Sequence, residues 1–269
     1  MEVYIDFLML SSLIAIGIFA GAYGAIVGAG GGFIFVPALL IFYQFSPAVA
    51  AGTGLLIVFI NSLSGVFGLI KQKRIYYYVG IILTIGAIPG TFFGSWLAEI
   101  IPAASFYKIF AILLILLSGF LFYKNSNIFQ KNKGEDSELE KAFLLEEGIW
   151  NKQNIGFLGI GYLLGTVSNF FGIGGGWLMV PILVYGFKIK PHIATATSLF
   201  TLCIYSFVGA TSQILNGNID WEAGIWGGLG VMVGAQLGVL VSSKLSGKVI
   251  IQMLSLLLLL IGARLLFMG

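Results

Sequence analysis

Two short segments of the chain carry glycines in a pattern that could bind an anion. GAGGGFIFVP begins at Gly28, and GIGGGWLMVP begins at Gly172. Clustered glycines leave backbone N–H groups uncovered by side chains, and a helix that follows them adds its positive N-terminal end. Together these groups can hold an anion without a cationic side chain. The candidate glycines are Gly28, Gly30, Gly31, Gly32, Gly172, Gly174, Gly175 and Gly176. Close packing between helices is the alternative explanation for such clusters.

The two glycine clusters belong to a repeat with an offset of 144 residues that needs no gap. Matched pairs include Pro37 with Pro181, Thr53 with Thr197, Ser62 with Ser206, Gly90 with Gly234, and Gly94 with Gly238. The chain is therefore predicted to contain two related halves, residues 1–123 and 155–269. The polar segment 124–154 is predicted to link them.

The composition indicates an all-α integral membrane protein. The chain has 269 residues, of which 58% are hydrophobic and 9% charged, against about 25% charged residues in soluble domains. Each half holds about five apolar segments, roughly 7–27, 33–43, 48–70, 79–98 and 104–123, then 155–171, 177–187, 192–215, 223–243 and 248–267. The second segment of each half reaches about 16 Å as a helix, half of a bilayer core of about 30 Å. A short, glycine-interrupted segment in both halves indicates a transport site.

Loop charges predict that the halves are inserted in opposite orientations. Lys71, Lys73 and Arg74 follow the third segment of the first half, whereas the matching loop holds Asp220 and Glu222. Because basic loops remain cytoplasmic, the sequence predicts tandem inverted repeats with the N-terminus outside and the linker cytoplasmic. Twelve of the fourteen basic residues then lie in cytoplasmic loops. The alternative is eight transmembrane helices in which the short segments are re-entrant.

Polar residues inside apolar segments extend the candidate binding site. They are Thr53, Asn61, Ser62, Asn169, Thr197 and Ser198. Hydroxyls and amides can donate hydrogen bonds to an oxyanion, although Ser and Thr also bond to their own helix. The two asparagines are the stronger candidates, because a buried amide needs a partner.

The chain lacks the residues that several classes of function require. Apart from Cys203 and His192 the chain has no cysteine or histidine, and no Asp or Glu lies in the middle of an apolar segment. Intramembrane enzymes require a nucleophile–base pair, a metal cluster or paired carboxylates. We therefore expect no catalytic site, no metal, no cofactor and no nucleic-acid partner. The expected partners are a small anion and the lipid bilayer, and the oligomeric state is left open.

The repeated glycine motif followed by proline resembles that of the TauE/SafE sulfite exporter family, and the resemblance covers nearly the whole chain. It implies a multi-pass protein of the cytoplasmic membrane that transports sulfur-containing anions such as sulfite or organosulfonates. The motif glycines named above, with Pro37 and Pro181, correspond to the family's pattern. Family members often have eight helices, which differs from ten apolar segments. The expected mechanism is alternating access with the anion at mid-membrane; a passive anion channel and a non-transporting partner subunit are the alternatives.

Overall fold

The computed structural model describes residues 2–128 and 152–266, and these residues form ten helices. The first half contains α1 (Glu2–Val27), α2 (Gly32–Phe42), α3 (Pro47–Lys71), α4 (Tyr77–Ile100) and α5 (Ala103–Ile128). The second half contains α6 (Lys152–Phe171), α7 (Gly176–Gly186), α8 (Pro191–Leu215), α9 (Trp221–Ser242) and α10 (Gly247–Leu266). Most of the predicted linker, residues 129–151, lies outside the described residues.

The all-helical membrane fold predicted from composition is confirmed. Among the described residues, eight helices are long and apolar enough to cross a bilayer, and α2 and α7 are the two shorter ones. The short helices correspond to the predicted segments 33–43 and 177–187. Each contains a proline, Pro37 or Pro181, and α7 widens to a π-helix from Ile182. This local change is consistent with proline removing a backbone hydrogen-bond donor.

Long helices pair across the two halves through faces of small residues. A Cβ atom on Gly234 of α9 would overlap the carbonyl oxygen of Ile18 in α1. At the matching positions, a Cβ atom on Gly90 of α4 would overlap the carbonyl oxygen of Tyr162 in α6. Glycine therefore lets the two backbones touch in both pairs, as in other membrane helix contacts.

The central helices α3 and α8 cross in opposite directions. Leu55, early in α3, lies 3.6 Å from the Cβ position of Gly209, late in α8. Leu199, early in α8, lies at the same 3.6 Å distance from the Cβ position of Gly65, late in α3. These are one contact with the two halves exchanged, so matched helices run antiparallel in the fold. The orientation of the halves in the bilayer stays a prediction.

The short helix α2 carries the chain back between two helices that run in the same direction. Ser64 of α3 donates a hydrogen bond to the carbonyl of Met232, and Gly224 approaches Leu56, so α3 runs parallel to α9. Later residues of α1 contact later residues of α9, so these two helices also run parallel. The glycine cluster before α2 is therefore the point at which the chain reverses inside the bundle.

Candidate functional site

The two glycine clusters form turns that meet in the buried centre of the bundle. We call residues 28–31 the first turn and residues 172–175 the second turn; all of them are buried. A Cβ atom on Gly32 would lie 3.0 Å from the Cα of Ile173, and one on Gly176 would overlap the carbonyl oxygen of Gly28. The repeated motif thus brings non-helical backbone from both halves to one place.

Backbone conformation explains why each turn begins with glycine. Gly28 has φ 76° and Gly172 has φ 70°. This is a left-handed backbone conformation that residues other than glycine adopt only at an energetic cost. The matched positions at the start of α2 and α7 differ, since Gly31 has φ 76° and Gly175 has φ −89°. Helix packing alone does not require positive φ, so the clusters are turns as well as contact surfaces.

Each turn packs against the central helix of the opposite half. The hydroxyl of Ser198 in α8 donates a hydrogen bond to the carbonyl oxygen of Gly28 at 2.7 Å. At the matched position in α3, Gly54 lets the carbonyl oxygen of Gly172 approach the helix backbone directly. The predicted site residue Ser198 therefore lies at the turns, and its proton is used to hold the first turn in place.

Three other predicted hydroxyls also have protein partners. Thr53 Oγ1 accepts a hydrogen bond from the backbone N–H of Asp220 at 2.9 Å, and Thr197 Oγ1 accepts one from Tyr76 at 3.0 Å. These two bonds are equivalent in the repeat, and each fixes the loop before a long helix. Ser62 donates to the carbonyl of Val58 in its own helix at 2.6 Å.

Asn169 ties α6 to α4. Its Nδ2 donates to the carbonyl oxygen of Thr91 at 2.6 Å and also to the hydroxyl of Ser95. Its Oδ1 faces the α carbon of Gly209 and has no hydrogen-bond partner among the described residues. The amide therefore has a packing role, with one acceptor unused.

Asn61 lies against the first turn with its whole amide unused. The side chain is fully buried, and neither Nδ2 nor Oδ1 has a hydrogen-bond partner in the described part of the chain. Cβ atoms built on Gly31 and Gly24 would lie 2.6 Å and 2.7 Å from Nδ2. The amide is thus directed at the N-terminal end of α2, which no side chain caps.

Sequence reasoning missed Tyr205, which takes the place of Asn61 in the second half. The Tyr205 side chain is fully buried, and its hydroxyl accepts a hydrogen bond from the backbone N–H of Gly175 at 2.8 Å. The 144-residue offset aligns Tyr205 with Asn61, and that alignment is the signal that could have identified it. A search for repeated polar residues could not, because the two residue types differ.

The centre of the bundle has no formal charge among the side chains that the structure describes. None of those Asp, Glu, Lys or Arg side chains is buried. The groups at the turns that could attract an anion are backbone N–H groups, the N-terminal end of α2 and the Asn61 amide. In this low-dielectric setting such dipoles act more strongly than they would in water.

Comparisons with known proteins cover nearly the whole chain. The family model described as "Sulfite exporter TauE/SafE" matches residues 13–265. The probable membrane transporter protein YunE of Bacillus subtilis is 32% identical, over 96% of this chain and 97% of its own length. A probable membrane transporter protein of Methanocaldococcus jannaschii is 28% identical, over 92% of both chains.

No solved structure matches the chain. The family match spans nearly every described helix, from within α1 to the end of α10, and includes both glycine turns. With relatives aligned over almost their full lengths, this multi-pass membrane protein belongs to the TauE/SafE sulfite exporter family of membrane transporters.

Proposed function

We propose that the protein carries small sulfur-containing anions, such as sulfite or organosulfonates, across the cell membrane by alternating access. The observation that carries this proposal is the meeting of two glycine turns, one from each half, in the buried centre of the bundle. Non-helical backbone is tolerated at membrane depth where it lines a cavity or is buried in protein. The family's description as a sulfite exporter supports the choice of sulfur anions.

The chemistry of the turns suits a transported anion. Backbone N–H groups and an amide bind an oxyanion through directed hydrogen bonds. With no buried cationic side chain among the described residues, the site holds its ligand without a permanent ion pair. Moderate affinity is what a carrier requires, because the ligand must also leave on the far side.

The exchange of contacts between the halves supports alternating access. The antiparallel crossing of α3 and α8 is the packing that two oppositely inserted repeats would produce. If the halves exchange conformations, a site open to one face becomes open to the other. The loops add to this argument, since Lys73 and Arg74 follow α3 whereas Asp220 follows α8.

Counterflow in proteoliposomes tests the transport proposal. Vesicles containing purified protein are loaded with unlabelled sulfite, thiosulfate, sulfoacetate or taurine, diluted, and offered the same labelled compound. Transient accumulation of a labelled sulfur anion, absent from empty vesicles and from sulfate, acetate and chloride controls, is the expected result. Flux without stimulation by substrate on the far side would indicate a channel. No flux from folded protein would favour a non-transporting partner subunit.

Cysteine labelling tests the orientation of the halves. Lys73 and Glu222 are exposed; Lys73 lies in the loop between α3 and α4, and Glu222 lies at the start of α9, beside the matching loop. We expect Lys73→Cys and Glu222→Cys, each in a Cys203→Ala background, to react with an impermeant maleimide from opposite faces of the membrane. Reaction from the same face would contradict the inverted arrangement.

A further inference from the structure

We propose that the first glycine turn alone recognises the anion, through Asn61, and that its ligand is a monoanion which also carries a hydrogen-bond donor. This inference rests on the proposed function, because it names the substrate chemistry of the same central site. It differs from a symmetric site in which both turns hold the ligand equally.

The matched positions beside the two turns have diverged. In the second half, the Tyr205 hydroxyl bonds to the Gly175 N–H at 2.8 Å, so protein already fills this position. In the first half, the matched Asn61 lies beside Gly31 and neither of its amide atoms is paired within the described chain. At this matched pair, the unused hydrogen-bonding capacity therefore lies in the first half.

The unpaired Asn61 amide lowers the stability of the folded protein. A buried polar group without a partner destabilises the protein, and such groups are rare in native interiors. Asn61 is fully buried and faces a helix start that no side chain caps. An unused amide beside the buried, positively polarised N-terminal end of a helix is suited to a ligand of negative charge.

The two polar atoms of the Asn61 amide indicate which hydrogen-bonding groups the ligand carries. Nδ2 donates hydrogen bonds and suits an anionic oxygen, whereas Oδ1 only accepts them. A fully deprotonated anion would leave Oδ1 unpaired and would face its partial negative charge. A ligand with an O–H or N–H group beside its anionic oxygens satisfies both atoms. Hydrogensulfite and hydroxylated sulfonates have this chemistry; sulfate and the sulfite dianion do not.

The absence of a buried cation among the described side chains limits the net charge of the ligand. Among the described residues, no cationic side chain is buried, so a dianion would lose more hydration energy than these dipoles return. A single negative charge with a donor group therefore fits the first turn best.

A matched pair of competitors tests this ligand chemistry. 2-Hydroxyethanesulfonate and 1-propanesulfonate have the same number of non-hydrogen atoms, and only the first carries a hydroxyl donor. We expect the hydroxylated compound to inhibit sulfite counterflow more strongly, and sulfite itself to be carried better at a pH at which hydrogensulfite predominates. Equal inhibition by the two sulfonates would overturn the assignment of the donor.

Substitution tests the role of Asn61. Asn61→Leu keeps the approximate shape but removes both polar atoms, and should lower ligand affinity by about tenfold to a hundredfold, the loss expected for hydrogen bonds to a charged group. Asn61→Ala carries the same test if the leucine variant folds poorly. Ser206→Ala is the control, because the Ser206 hydroxyl bonds to its own helix at Leu202. Wild-type affinity in both Asn61 variants would overturn the inference.

A binding measurement separates this inference from the transport proposal. The same ligands are added to purified wild-type and Asn61→Leu protein, and the unfolding temperature is recorded without any flux. Stabilisation of the wild type alone by 2-hydroxyethanesulfonate supports the site even if counterflow fails. Counterflow that proceeds normally in Asn61→Leu supports the transport proposal while contradicting the site.

Discussion

The two glycine turns share a backbone framework and differ in the side chains that face it. Gly28 and Gly172 end long helices with positive φ, and each turn packs on the central helix of the opposite half. Beside the first turn lies the unpaired amide of Asn61, whereas beside the second turn Tyr205 is bonded to the backbone. The framework is thus repeated while the chemistry is not.

In the proposed site, this difference would let a duplicated fold hold an unsymmetrical ligand. Contacts such as Leu55 with Gly209, and their exchange, Leu199 with Gly65, are equivalent in the two halves. A small anion with one donor group has no twofold symmetry, so equal contacts from both turns would satisfy it poorly. If Asn61 binds the anion as proposed, the divergence of Asn61 and Tyr205 resolves that conflict.

The largest expected effect falls on the shared framework. Leucine at Gly90 or Gly234 would place side-chain atoms where a neighbouring helix backbone already lies. We expect each substitution to destabilise the protein by at least about 3 kcal/mol, the upper end of the range for overpacking. The measurement is the yield of monodisperse protein in size-exclusion chromatography.

Gly119→Leu is the control for this prediction, because no atom lies within 4 Å of its Cβ position. Both framework variants should fail to give folded protein while the control folds. If only one of the matched variants failed, the framework itself would be unequal between the halves, and the comparison would lose its basis.

The next largest effect should separate the turns. A methyl group at Gly31 would lie 2.6 Å from Asn61 Nδ2 at φ 76°, whereas at Gly175 it would lie 2.6 Å from the Tyr205 hydroxyl at φ −89°. Gly31→Ala adds backbone strain of about 1–3 kcal/mol and displaces the proposed anion ligand. We expect about a tenfold or greater loss of counterflow in Gly31→Ala, from the lost hydrogen bonds to a charged group.

Gly175→Ala should lower counterflow by about threefold, because it weakens one neutral hydrogen bond. The two variants are compared at equal amounts of folded protein in the vesicles. Equal losses would indicate that both turns bind the anion, and a larger loss at Gly175 would reverse the assignment of the site.

Helices and the repeat could be predicted because their signals are long. Apolar segments of about twenty residues identify the spanning helices, and the ungapped offset of 144 residues identifies which helix of one half corresponds to which helix of the other. The short segments 33–43 and 177–187 were identified within one residue of α2 and α7, since glycine and loop residues bound them on both sides.

The partners of individual side chains could not be predicted in the same way. Thr53 and Thr197 were predicted as ligands for an anion, but each hydroxyl accepts a bond from the backbone of a loop distant in sequence. Ser198 likewise donates to Gly28 across the halves. Tyr205 reads as a core aromatic until its matched partner Asn61 is considered. Contacts between distant residues, which decide these roles, leave no local pattern.

Stability changes of opposite sign should distinguish the two diverged residues. Tyr205→Phe removes the acceptor of the buried Gly175 N–H, and we expect a loss of about 1–2 kcal/mol. Asn61→Leu removes an unpaired buried amide, so we expect a gain of about 1 kcal/mol in the absence of ligand. Thermal unfolding of the purified variants measures both.

The reference for these values is Ser206→Ala, which alters only a bond within α8. A destabilised Asn61→Leu would show that the amide supports the fold, and the asymmetry between the turns would then be structural. A gain in stability together with lost ligand affinity is the combination expected of a residue kept for binding.

The smallest effect should be equal in the two halves. Thr53→Val and Thr197→Val keep side-chain shape but remove the acceptors of the Asp220 and Tyr76 N–H groups. We expect each to lower the free energy of unfolding by about 1 kcal/mol, the usual net value of one hydrogen bond. Since both bonds belong to the framework, counterflow affinity should change equally little in each. A fall in affinity in Thr53→Val alone, at matched stability, would place its hydroxyl with Asn61 in the anion site and extend the asymmetry along α3.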